Sequence, residues 1–184
     1  YVSNRANPMT DILAREGIRR GARSLLRAYQ DGDDKDARED MAMTSLLGGL
    51  ALANGGLGAV HGFAGPIGGM FHAPHGVICA SLLPHVMNFN VAALTERAGN
   101  GGIRSRYEEV AILLTGDPAA NIEDGVSWIE QLAAALEIPG LHKIGIKKED
   151  FDQIIQQSKI SSSMQKNPVK LDEDILKAIL MAAY

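Results

Sequence analysis

Apolar residues recur with a helical period along most of the chain. From Met9 they fall at Ile12, Leu13, Ile18, Ala22, Leu25, Leu26 and Tyr29, the spacing that lines one face of a helix. Asn7 and Pro8 stand where that helix would start, an N-cap followed by a residue suited to the first turn. The opposite face carries Arg15, Arg19, Arg23 and Arg27, each four apart. Such a stripe is either a solvated face or a docking face for another domain or subunit. The acidic stretch DGDDKDARED (31–40) turns the chain into a second helix and offers carboxylates to the stripe.

Further on, a third apolar segment runs from Val77 towards Leu94, after APHG. NGGIRSR (100–106) reads as a loop, and YEEVAILLTG as a short helix closed by Gly116. DPAANIEDGVSWIEQLAAALEIPG holds a longer amphipathic helix that stops before Pro139. KKEDFDQIIQQSKIS places Phe151, Ile154, Ile155 and Ser158 on one side, KNP breaks the period, and LDEDILKAILMAAY makes a final helix. No alternating run of strand length, internal repeat or low-complexity tract stands out. The pattern predicts an all-α protein of seven or eight helices.

Composition supports this picture. Apolar residues make up 46% of the 184 positions and aromatics only 5%, which points to an interior of Ala, Leu and Ile in a single domain. A net charge of −4 argues against a nucleic-acid partner. Cys79 is the one cysteine and cannot form an internal disulfide, which fits a reducing, cytoplasmic location. No basic-then-apolar leader opens the sequence.

The distribution of charge changes the picture more. From Met41 to Thr95 there is no Asp, Glu, Lys or Arg, 55 residues in a protein that is 22% charged. Such a run is buried, lies in a membrane, or lines a site. A membrane span takes about 20 consecutive apolar residues. Asn54, His61, Pro66, His72, Pro74, His75, Pro84 and His85 interrupt every long window, so a buried hairpin with a functional surface is expected and no membrane association. Half of the 20 glycines lie between Gly48 and Gly76, where a neighbouring helix, a cofactor or a substrate would come close to the backbone.

Within that run, GAVHGFAGPIGGMFHAPHGV (58–77) holds three histidines and no charge. On one straight helix His61 and His75 would stand about 21 Å apart. Pro66, Gly68, Gly69, Pro74 and Gly76 argue for a break. A helix that stops near Phe71 and turns back through HAPH would aim both imidazoles at one point. Neutral imidazole suits divalent iron, zinc, cobalt or nickel. A buried histidine is also commonly a hydrogen-bonded core residue, so spacing alone leaves both readings open. His72 falls near the rim of such a site, whereas His85 and His142 fall outside it.

The stretch GLGAVHGFAGPIGGMFHAPHGVICASLLPHVMNFN resembles the signature of the iron-containing, group III metal-dependent alcohol dehydrogenases. NPMTDILAREGIRR, EIPGLHKIGIKKEDF and KNPVKLDEDILKAIL extend the resemblance over the whole chain. It implies that residues 1–184 form the helical C-terminal domain of a dehydroquinate-synthase-like, iron-type alcohol dehydrogenase fold. In that family one Asp and three His hold the ion. Carried over, His61 and His75 are two of the histidine ligands, with Leu57, Gly65 and His72 beside the substrate and cofactor. The family's Asp and first His lie on a D-x-x-x-H turn just before a stretch resembling YVSNRANP. That turn is not in this sequence, and neither is the Rossmann-like N-terminal domain that binds most of the nicotinamide cofactor. Many members carry a histidine where Gly65 stands here, so no catalytic acid–base residue is assigned.

The resemblance thus implies a share in reversible hydride transfer between a small alcohol and its aldehyde or ketone. NAD or NADP would be the cofactor, and Fe²⁺, or else Zn²⁺, the Lewis acid. It also implies a fragment inactive by itself and a homo-oligomer at full length. The rival readings are a non-enzymatic helical interaction domain, and a polyol dehydrogenase or maleylacetate-reductase-like enzyme.

Overall fold

A computed structural model describes residues 1–95 and 101–184. Among them are eight α-helices, three short 3-10 turns and no strand, as the periodicity predicts. They gather into two compact units, one of Tyr1–Gly56 with Gly101–Leu136, the other of residues 57–95 with 137–184.

The first unit begins with α1 (Pro8–Gln30), capped by Asn7. The Asn7 side chain accepts from the Met9 and Thr10 amides, and Asn7 N–H donates back to the Thr10 hydroxyl. Asp34, in the acidic turn, caps α2 (Lys35–Gly55) by accepting from Ala37 N–H. The partners of α1 on α2 run in opposite order. Thr10 meets Gly55, Gly17 meets Thr44 and Leu47, Ser24 bonds Asp40, and Arg27 bonds Asp34, so the helices are antiparallel.

The arginine stripe finds its acids inside this unit. Arg27 reaches Asp34 at 2.7 Å, Arg23 reaches Asp40 at 2.6 Å, Arg19 reaches Glu16 at 2.8 Å, and Arg15 pairs with Glu109. Glu109 lies on α5 (Gly101–Thr115), which α6 (Ile122–Ala135) covers at close range. A Cβ on Gly125 of α6 would come within 2.8 Å of the Ala111 Cβ, so that crossing requires glycine.

Two expectations fail in this unit. The loop expected over 100–106 is helical from Gly101 onward, while Asn100 lies outside the described residues. Glycine propensity is overridden there by side-chain anchoring. Arg104 pairs with Glu108 one turn on, and Arg106 reaches Asp11 and the Tyr1 carbonyl. The uncharged run is also not a buried run. Met43, Leu46, Leu50 and Leu52 of α2 are all exposed. The lack of charge fixed only that these residues need no water, not that this chain covers them.

The second unit closes around large apolar side chains. Phe63 and Ile67 come from α3 (Ala59–Phe71), and Ile78 and Leu82 from α4 (His75–Thr95). Ile154 of α7 (Phe151–Lys159) and Leu176, Ile179 and Leu180 of α8 (Glu173–Ala182) complete the centre, all 1% exposed or less. The 3-10 turn Met164–Lys166 lies directly on α3, where a Cβ on Gly62 would stand 3.1 Å from the Met164 Cα.

Buried Asn167 then ties three segments together. Its Oδ1 accepts from Ala59 N–H at the start of α3, and its Nδ2 donates to Asn90 of α4 and to the Val169 carbonyl. The helix ends at Phe71, where the sequence reading placed its stop, and Pro66 lies inside α3. It removes one backbone bond, but Phe63, Ala64 and Ile67 are packed on either side of it and carry the helix on to Phe71. α4 includes a stretch, His75–Leu94, long and apolar enough to cross a membrane, with a mean hydropathy of 1.6. Half of it is buried inside the protein, and Asn90 within it pairs with Asn167.

Candidate metal centre

α3 ends at Phe71 because His72 adopts the left-handed conformation, with φ of 51°. Three residues later α4 begins with His75. The reversal sits where the HAPH reading placed it, and it brings the imidazoles of His61 and His75 to a centroid separation of 5.3 Å. His61 stands in the first turn of α3, on a helix fixed below by Asn167 and along its side by Met164. Both rings are therefore carried on helices, joined by the short turn 72–74.

A third donor joins them. Cys79 Sγ lies 3.5 Å from His75 Nε2 and 3.8 Å from His61 Nε2. One ligand atom from each of the three residues lies within 4.8 Å of the other two. Sequence reasoning considered Cys79 only for disulfides. The signal was present: His75 and Cys79 are four residues apart, one turn of the same helix face.

The surroundings shift two of the three donors. Burial, and then the neighbouring His75, push the His61 imidazole below its ordinary pKa, which leaves its lone pair free to bind. Burial pushes the Cys79 thiol up. With no carboxylate or cation in the run from Met41 to Thr95, a bound ion would be the dominant local charge. Two imidazoles and a thiol at this spacing form a donor set that fits a divalent transition ion.

The other predicted residues take different places. Gly65 lies one turn after His61, exposed, and a Cβ there would meet nothing within 4 Å. His72 is exposed at the end of α3, and Leu57 is half-buried just before its first turn. His75 is itself exposed, so these residues do not enclose the cluster. His85 follows His75 by ten residues along α4 and stays out of the cluster. His142 packs against the Tyr184 ring instead.

Comparison with known proteins gives consistent results. The family profile described as "Fe-containing alcohol dehydrogenase family, C-terminal" matches residues 1–184. Alcohol dehydrogenase 4 of Saccharomyces cerevisiae is 36% identical over 185 residues, covering all of this chain and 46% of the relative. The 1,3-propanediol dehydrogenase of Klebsiella pneumoniae is 37% identical over 185 residues, again covering all of this chain and 47% of the relative. Among solved structures, a 1,3-propanediol oxidoreductase superposes with a TM-score of 0.90 at 33% identity, over 100% of this chain and 47% of that one. The chain therefore spans about half the length of the relatives it matches.

Proposed function

Since the chain belongs to the Fe-containing alcohol dehydrogenase family, as its C-terminal region, we propose that it supplies the metal-binding half of an NAD- or NADP-dependent alcohol dehydrogenase. One observation carries the reading: the first turns of two successive helices bring His61 and His75 ring to ring. A pure interaction domain has no use for that convergence. The substrate class is a small alcohol and its aldehyde or ketone, in keeping with the alcohol and propanediol dehydrogenases the chain resembles. A cytoplasmic, homo-oligomeric enzyme fits the lone thiol of Cys79 and the family.

The residues divide the work. His61 and His75 hold a divalent ion, iron by the family's name, with zinc equally served by imidazole donors. When bound, that ion supplies Lewis acidity towards a substrate oxygen. His61 stays unprotonated because its burial disfavours the imidazolium. Gly65 leaves the surface one turn beyond His61 open, where substrate and nicotinamide can approach the backbone of α3. Leu57 and His72 flank that opening at either end of the helix. The proton and hydride partners are not assigned to any side chain of this chain.

The test uses protein expressed from its complete reading frame, stripped of metal and reloaded anaerobically with Fe²⁺ or with Zn²⁺. NAD(P)H formation should appear with short alcohols or diols. His61→Ala and His75→Ala should each lower kcat/KM by about 100-fold or more, since a Lewis acid contributes several kcal/mol at about 1.4 kcal/mol per tenfold. Unchanged activity in both variants would remove these histidines from the site.

A further inference from the structure

Resting on the reading that His61 and His75 hold a divalent ion, we propose that Cys79 is a further protein ligand beside them and that its sulfur tilts the site towards zinc over iron. The geometry comes first. A tetrahedral ion with metal–nitrogen bonds of about 2.0–2.1 Å and a metal–sulfur bond of about 2.3 Å holds its sulfur and nitrogen ligands about 3.5 Å apart. Cys79 Sγ stands at 3.5 Å from one imidazole nitrogen and 3.8 Å from the other. All three donor atoms already lie within 4.8 Å of one another. Closing them on an ion needs side-chain torsion only, because α3 and the first turn of α4 already supply the backbone positions.

Helix register is the second support. His75 and Cys79 occupy successive turns on one face of α4, so the same packing that aims His75 at His61 also aims Cys79 there. Cys79 is half-buried and has no disulfide partner. Ligation exchanges the thiol proton for the metal: the S–H bond is given up, a sulfur–metal bond forms, and the proton passes to the solvent. No electron is transferred. Chemistry then sets the preference. Imidazole alone serves iron, zinc, nickel and copper alike, whereas thiolate selects the softer ions, zinc among them.

The same distances suit a thiol hydrogen-bonded between two imidazoles, and the two arrangements differ in spectrum. Metal-free protein from the complete reading frame is titrated with Co²⁺ as a spectroscopic substitute for zinc. The proposal expects a sulfur-to-cobalt charge-transfer band in the near ultraviolet, alongside the visible ligand-field bands. In Cys79→Ser and Cys79→Ala the charge-transfer band should vanish while the visible bands persist. Loss of an outer partner of a ligand costs about 10–100-fold in affinity, so loss of a direct ligand should weaken Zn²⁺ binding by at least about tenfold. Anaerobic Fe²⁺ binding should weaken less, so the zinc-to-iron preference should fall in both variants. Cobalt bound through His61 and His75 without the charge-transfer band would overturn the role of Cys79 and leave the metal centre standing. Cobalt binding that is absent, or that survives both His61→Ala and His75→Ala, would overturn the centre and the Cys79 proposal together.

Discussion

The two units bury different kinds of interior. In the second, large apolar side chains from α3, α4, α7 and α8 close on one another, with Phe63, Ile67, Leu82 and Ile154 fully excluded from solvent. In the first, the buried positions are mostly small or polar, such as Ala37, Ala111, Gly17, Gly125, Ser24 and Asp40. Its helices are held by close backbone approach and by carboxylates that tie one helix to the next. The hydrophobic term grows with apolar area, whereas an exposed ion pair contributes little. The proposed metal donors all sit on the unit with the large-residue core. That placement suits a site whose ligands must hold position before any ion arrives.

Deleting volume should therefore hurt the second unit most. Phe63→Ala empties a fully buried ring from the middle of α3, two residues from His61. A loss of about 3–5 kcal/mol in unfolding free energy is expected, read from the denaturant midpoint. A loss below about 1 kcal/mol would mean that the centre of this unit is loosely packed, and the contrast between the units would disappear.

Most of the second unit was legible because its signals are local. The apolar period placed α7 and α8, with Phe151, Ile154, Ile155 and Ser158 on the buried side. The HAPH reversal combines a left-handed His72 with Pro74 two residues on, and the Pro and Gly there made a break readable. What stayed illegible was tertiary. Asn167 reads as punctuation in KNP, yet it holds the start of α3 from 108 residues away and Asn90, late in α4, from 77 residues away. Cys79 was passed over because its partners are defined by a helix reversal and a turn of register together. In the first unit the helical start at Gly101 was hidden because its anchors, Asp11 and Tyr1, lie far back in the sequence.

The next effect belongs to the first unit and depends on pH. Asp40 accepts two hydrogen bonds from Arg23 and one each from Arg20 and Ser24. Arg23, and then Ser24, hold its carboxyl far below the usual carboxylate range. A depressed carboxylate contributes stability above its unfolded pKa, near 3.9, which is lost as pH falls through the folded value. Asp40→Asn should cost about 1–2 kcal/mol at neutral pH, limited because Arg23 is half in solvent. Below about pH 4 the variant should lose less further stability than the parent does. Parallel acid limbs for the two proteins would show that this carboxylate does not tie α1 to α2 in solution.

The smallest effect is expected where the sequence pattern was most misleading. Met43, Leu46 and Leu50 stand three and four residues apart on α2, so they form one stripe, and they are 38%, 58% and 44% exposed. Leu46 and Leu50, at 58% and 44% exposed, already leave about half of their area in water, so replacing them removes far less burial than replacing a core leucine. Glutamine matches leucine and methionine closely in helix propensity, so the backbone of α2 gains and loses almost nothing. Leu46→Gln and Leu50→Gln, singly and together, should stay within about 0.5 kcal/mol of the parent, with an unchanged denaturant slope. A stripe that was part of a closed interior would behave otherwise, since truncating buried leucine costs about 2–5 kcal/mol. Equilibrium unfolding of the double variant decides between these outcomes. A loss above about 1.5 kcal/mol would mean that the stripe is covered in solution, and the first unit would then own a larger apolar interior than its own residues enclose.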